Sequence, residues 1–320
     1  MTTMIGNAAS ETSALVSLVR LGRPKFLLGG LALFGLGNLT AYLMGYGFDL
    51  KVYIWGQLII TAIQLMTHYS NDYFDLEADR ENHHPTHWSG GSRVLVEGEL
   101  PRWCALATAL ALACAACIAT AGLLSVRVQT KLALFILASI FVLSWSYSSP
   151  PLRLHSRGLG EPAVAIVVPF LTPLSGFVLQ AGQLERLPVL LCLPLVLLQL
   201  AMLLTLQIPD ASGDRAVGKL TWTVLFGARP IAFLCILFIL AAFLLGLSSS
   251  ALGVPGEVRW AWVILAPLGL LQLTSYSRRD FERPEAFNRL AFGSTALFFL
   301  TIVGEIIAIA LASDLLSLRD

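Results

Sequence analysis

"KVYIWGQLIITAIQLMTHYSNDYFDLEADRE", Lys51 to Glu81, starts as an apolar run and ends as an acidic one, with no proline to break it. About twenty apolar residues cross a bilayer as a helix. If that helix continues into the acidic end at about 100° per residue, Asp75 lies about 60° round from Asp72 and Asp79 about 20°. Three carboxylates then share one face, at i, i+3 and i+7, with Asn71 at its border. A solvated helix end would give the same pattern. Against that, crowded like charges repel unless something positive neutralises them. Ionisable groups that run straight out of a membrane span are also costly and usually functional.

The rest of the chain makes the span assignment general. Of 320 residues 56% are hydrophobic and only 13% charged, and the mean hydropathy is +0.75. A soluble core has too few interior positions for that composition. Apolar segments near 25–47, 52–72, 103–125, 130–147, 161–182, 188–208, 229–250, 258–276 and 288–312 predict about nine membrane helices. They lack the alternation of barrel strands, so the fold class is all-α and polytopic. Residues 1–19 are small and polar and read as a short disordered tail, not a signal peptide. Residues 20–320 form one integral-membrane domain.

Charge asymmetry orients it. With nine spans, most of the 21 Lys and Arg share the side of the N-terminus and of the loops after spans two, four, six and eight. The other side holds Lys51, Arg127, Lys131, Arg186, Arg259 and Arg319. This favours a cytoplasmic N-terminus. Cys114 and Cys117, at C-x-x-C spacing, fall mid-span and read as small packing residues. His83, His84 and His87 imitate a metal cluster but read as a loop, because zinc needs further ligands in sound geometry. Trp88 is placed to pack that loop down as a lid.

A second acidic stretch follows the sixth span: "IPDASGDRAVGKLTWTVLFG", residues 208–227. Asp210 and Asp214 are at i and i+4, and Lys219 follows. Two acidic helix ends on one side of a membrane can face each other. Facing carboxylates suit Mg²⁺, which uses a few carboxylates together with substrate phosphate oxygens, and Arg and Lys take the remaining phosphate charge. Neither stretch is a P-loop, a zinc motif or a dinucleotide fingerprint. The pair reads as a diphosphate-binding site.

"NDYFDLEAD" (71–79) resembles the N-D-x-x-D-x-x-x-D signature of the UbiA superfamily of intramembrane prenyltransferases, and "DASGD" with "GKLT" (210–221) resembles its second motif. "RLGRPKF" (20–26), "SGGSRVLVEG" (89–98) and "YSSPPLRLHSRGLGE" (147–161) fall in the expected order. Together they are most similar to the 1,4-dihydroxy-2-naphthoate polyprenyltransferase branch of the menaquinone pathway. Two features depart from that branch. His68 stands where Asn is usual, and Leu206, Gln207, Ile208 and Pro209 replace an Asn-Asn-x-Arg stretch. Both bear on the acceptor and not on the diphosphate machinery.

The resemblance implies a helical bundle with a central cavity capped by cytoplasmic loops. It also implies Mg²⁺-dependent transfer of a polyprenyl group from its diphosphate to an aromatic acceptor. Asp72, Asp75, Asp79, Asp210 and Asp214 are then the metal residues and Lys219 a catalytic cation. Arg93, Arg153 and Arg23 are diphosphate contacts, with Asn71 in support, and Tyr147 and His68 are acceptor-side candidates. His68, one turn before Asp72, fits an acceptor-side base, a partner that orients the carboxylate, or a packed histidine. The setting implied is a bacterial inner membrane with the site facing the cytoplasm, and no nucleic-acid or obligate protein partner. Other acceptors (4-hydroxybenzoate, homogentisate, chlorin or haem) stay open. An ion-coupled transporter is the non-enzyme rival, but it predicts acids near the bilayer midplane, whereas these sit at span ends. A CDP-alcohol-type transferase would need a D-G-x-x-A-R run, which is absent.

Overall fold

The computed structural model describes residues 13–83, 85–126 and 130–312. His84, Arg127, Arg319 and the first twelve residues of the expected tail lie outside them. Among the described residues nine helices are long and apolar enough to cross a membrane. They are α1 (Pro24–Tyr46), α2 (Leu50–Glu81), α3 (Arg102–Val126), α4 (Lys131–Ser148), α5 (Gly160–Ala181), α6 (Arg186–Gln207), α7 (Ala228–Leu247), α8 (Gly256–Ser277) and α9 (Pro284–Leu311). No strand is found among these residues.

Helix α2 decides where the site lies. Asp49 caps its start by accepting from the backbone N–H groups of Lys51 and Val52, which satisfies donors that an isolated helix end leaves orphaned. Its 32 residues span about 48 Å at 1.5 Å per residue. A bilayer's hydrocarbon core is only about 30 Å thick. The last three turns therefore stand clear of lipid, and those turns carry the acids.

The bundle closes on itself. Helix α1 packs against α2, α5 and α9; α2 carries α3 on its outside and α4 beside it; α6 links α5 to α7 and α9; and α8 lies between α7 and α9. Lipid tails are as apolar as leucine, so contact between spans depends on close packing and small residues. A Cβ on Gly37 of α1 would lie 1.8 Å from the carbonyl oxygen of Pro173 in α5, so no larger residue fits that crossing. Phe34, Phe177 and Trp262 are fully buried, while Phe135, Leu244 and Ile264 are about seven-tenths exposed on the outside. That outer face is suited to lipid.

Two expectations need correction. Residues 13–21, most of them assigned to the disordered tail, form a helix. It is tied down because Ser17 donates to Glu99 at 2.5 Å, Tyr69 donates its hydroxyl to the Leu18 carbonyl at 2.8 Å, and Leu21 is fully buried. Cys114 and Cys117 do not pack the interior either. Both are exposed, on a helix that touches the bundle along one side.

Candidate active site

The two acidic stretches meet at one end of the bundle. After α6 the chain makes a short helix, Ala211–Ala216, which packs on the end of α2. Gly213 makes this possible: a Cβ there would lie 2.7 Å from the Ala78 carbonyl oxygen and 3.0 Å from the Asn82 nitrogen. The glycine inside "DASGD" is therefore the point where the second motif rests on the first.

Each carboxylate has its own surroundings. Asp72 is buried, ion-paired to the Arg23 guanidinium and accepting from the Ser92 hydroxyl. Asp75 accepts from Lys219 at 2.8 Å and from the Asn71 amide at 2.9 Å, and its other oxygen lies 2.7 Å from Nε2 of His155. Lys219 also reaches Asp214 at 3.1 Å, so one ammonium bridges α2 and the second acidic helix. Burial disfavours the Lys219 charge, but Asp75 and Asp214 outweigh it and hold the ammonium's pKa above its usual value. Asp210 accepts from the Asn82 amide at 2.7 Å. Burial first, and Asp214 second, push its carboxyl up to about 7. Burial also raises Asp214, with Lys219 opposing.

The loop after α2 closes over this cluster. Lys25 donates to the His87 carbonyl at 2.7 Å and stands over the Trp88 ring at 4.7 Å. Arg93 donates to the Asp79 carbonyl at 2.6 Å, so it fastens the loop to α2. Among the described residues four non-glycines have left-handed backbone, and all are arginines: Arg23, Arg93, Arg153 and Arg279, with φ of 50°, 66°, 44° and 57°. Such conformations cost on the order of 1–3 kcal/mol each and concentrate at functional sites. Three of the four are the arginines that the sequence singles out.

Most predicted site residues converge here: Asp72, Asp75, Asp79, Asp210, Asp214, Lys219, Asn71, Arg23 and Arg93. The Tyr147 and His155 rings pack at a tilt of 52°, centroids 5.5 Å apart. Arg153 is exposed at the turn after α4 and does not join the cluster. His68 does not orient Asp72. Its Nδ1 lies 2.7 Å from the Gly22 carbonyl, so it holds the turn that presents Arg23.

Four residues at the site were not singled out from sequence: His155, Ser92, Asn82 and Glu161. His155 and Glu161 lie within the quoted "YSSPPLRLHSRGLGE" and Ser92 within "SGGSRVLVEG". Loop residues carry no periodicity to show which way they point.

The donor set fits a hard divalent ion in chemistry: five carboxylates and an amide, all oxygen donors, with more negative charge than Arg23 and Lys219 cancel. Among the described residues no three potential ligands already converge on one point. Mg²⁺ is commonly held by a few carboxylates together with waters and substrate phosphate oxygens.

A model of the UbiA prenyltransferase family matches residues 27–304. No curated protein sequence matches the chain. Among solved structures, the apo form of a UbiA homologue from Aeropyrum pernix K1 aligns with a TM-score of 0.66 at 19% identity, over 88% of this chain and 98% of that one. A structure of digeranylgeranylglyceryl phosphate synthase aligns at 0.62 and 16% identity, over 93% and 99%. A UbiA homologue from Archaeoglobus fulgidus bound to GPP and Mg²⁺ aligns at 0.57 and 16%, over 92% and 100%. At such identities the structures speak for the fold, and the family match covers most of the chain. The chain belongs to the UbiA prenyltransferase family.

Proposed function

We propose that this protein transfers a polyprenyl group from its diphosphate to 1,4-dihydroxy-2-naphthoate, as in menaquinone biosynthesis, with Mg²⁺ bound by Asp72, Asp75, Asp79, Asp210 and Asp214. The observation that carries the reading is the Lys219 bridge between Asp75 and Asp214, which sets a fixed cation between two acidic helix ends. The homologue bound to GPP and Mg²⁺ supports it. Allylic C–O cleavage leaves diphosphate as it creates an allylic cation, so the leaving group needs charge stabilisation in the transition state. Bound Mg²⁺ supplies Lewis acidity to the diphosphate oxygens. Lys219 and Arg23 supply fixed positive charge, and Arg93 anchors the loop that excludes water. Arg153, at the exposed turn, stays outside this set.

The acceptor reading rests on "SGGSRVLVEG" and "RGLGE". His68, one of the two departures from that branch, turns toward Gly22 and stays out of the carboxylate cluster. The site faces the cytoplasm of a bacterial inner membrane in this reading, as the Lys and Arg asymmetry favours. The test is an assay in membranes with carboxyl-labelled naphthoate, a polyprenyl diphosphate and Mg²⁺. Labelled CO₂ should appear in step with prenylated product. Prenylation of another ring without CO₂, and none of the naphthoate, would replace the acceptor and leave the reaction class standing.

A further inference from the structure

Glu161 opens α5 and is fully buried. One of its oxygens accepts from the Trp222 backbone N–H at 2.9 Å. The other, Oε2, is buried without a partner of sound hydrogen-bond geometry, as is Oε1 of Gln207, although the Gln207 amide comes close enough to the carboxyl to interact with it. An unsatisfied buried oxygen is costly, more so when charged, so a carboxyl kept in this state invites a ligand. Its surroundings are those of the site. A Cβ on the preceding Gly160 would lie 2.7 Å from Cα of His155 and 3.2 Å from the Tyr147 ring, and the charge of Lys219 reaches it.

Three other bases nearby are engaged. The oxygens of Asp75 serve Lys219, Asn71 and His155; Asp72 serves Arg23 and Ser92; and His155 spends its second ring nitrogen on Ser156 at 3.0 Å. These groups belong to the cluster assigned to the diphosphate. Glu161 sits behind them, on the Tyr147 side, with acceptor capacity to spare.

We propose that Glu161 is the base that takes the ring-hydroxyl proton of the aromatic acceptor on Oε2, while its other oxygen stays bonded to the Trp222 N–H. The assignment rests on the prenyl-transfer reading above and deepens it: the acceptor must be a phenol or naphthol with an ionisable hydroxyl. As the O–H proton passes to Glu161, its electron pair enters the ring. The ring carbon forms its bond to C1 of the prenyl group, and the C1–O bond breaks with its pair going to diphosphate. With a ring carboxylate at the attacked carbon, CO₂ leaves, its bonding pair restores the aromatic ring, and the oxygen takes its proton back from Glu161. The base is regenerated without help from solvent.

The bland alternative makes Glu161 only a latch, because Trp222 also donates its indole N–H to the Gly158 carbonyl at 2.9 Å and Leu220 donates to the Ser156 carbonyl at 3.2 Å. Glu161→Gln separates the two roles: its amide oxygen still accepts from Trp222, but the base is gone. Trp222→Phe does the reverse, loosening the latch and sparing the base.

The measurement is turnover of 1,4-dihydroxy-2-naphthoate and ring-fluorinated analogues of rising hydroxyl acidity. Glu161→Gln should cut turnover of the parent compound about 100-fold or more, as loss of a general base does. The KM for the prenyl diphosphate and the melting temperature should hold, and the loss should shrink as the hydroxyl becomes ionised in the assay. Trp222→Phe should lower all acceptors alike. An equal loss across the series in Glu161→Gln, no loss, or the graded pattern in Trp222→Phe would overturn the assignment. Wild-type enzyme that prenylates none of these acceptors would overturn the naphthoate acceptor and the assignment built on it, a result distinct from wild-type turnover with an ungraded loss.

Discussion

Asp72 and Asp210 are both predicted metal residues, yet their surroundings give them different fates on substitution. Asp72 neutralises a partly buried guanidinium, and removing one partner of such a pair is strongly destabilising. Asp210 has an amide partner, and burial beside Asp214 pushes its carboxyl up to about 7. Each Asn variant should lose about two or more orders of magnitude in rate, comparable to losing a preorganised charge-stabilising group. Asp72→Asn should also melt earlier, while Asp210→Asn should melt no earlier than wild type in EDTA. Asp49→Asn, at the opposite end, keeps a side chain that caps as well and should be silent. Near-normal turnover in both site variants, or full turnover in EDTA, would return the acids to a solvated helix end. The Asp210 shift also predicts a pH dependence. The folded, metal-free protein holds a proton on Asp210 that the unfolded chain releases near 3.8. This carboxyl therefore adds stability at low pH that is lost as pH rises through about 7. Melting temperatures in EDTA should fall over that window, and less so in Asp210→Asn.

At the scale of elements, activity depends on how closely the second acidic helix rests on α2. Gly213 sets that distance. Gly213→Ala places a methyl group against the Ala78 carbonyl, and overpacking of this kind costs about 1–3 kcal/mol. The displacement separates Asp214 and Lys219 from Asp75. We expect at least a tenfold loss of turnover and a weaker Mg²⁺-induced rise in melting temperature. Gly218→Ala gives a comparison nearby, because a Cβ there meets nothing within 4 Å, although its φ of 73° adds backbone strain. If Gly213→Ala keeps full turnover and the same metal response, the contact between the two motifs is not what assembles the site.

For the whole molecule, the outcome to measure is orientation. The Lys and Arg asymmetry predicts that the acidic end faces the cytoplasm. Single cysteines at His83 and Ser277, both exposed, should react with an impermeant reagent only from the cytoplasmic side. One at Leu184, exposed at the other end, should react only from outside. Labelling of His83 from outside would invert the orientation and make the arginines' role substrate binding alone.

How much of this was legible in the sequence follows from what each feature depends on. The nine spans, the three-acid face of α2 and the i, i+4 pair at Asp210 and Asp214 are local. Apolar length and a fixed rotation per residue determine them, and both are readable from the chain. The roles of His68 and His155 are not local. One stands a turn before an acid and bonds instead to Gly22, 46 residues away in sequence; the other lies in a loop and bonds to Asp75 from 80 residues away. Hydrogen bonds of that kind exist only once the bundle brings distant loops together, and no periodicity anticipates them. The same holds for Glu161, whose spare oxygen is defined by which donors the fold leaves out of reach. The sequence by itself determined the membrane fold and the charges at its end. Only the tertiary structure decided which charge each acid meets, because pairing depends on distances of a few ångströms between helices that the chain order does not specify.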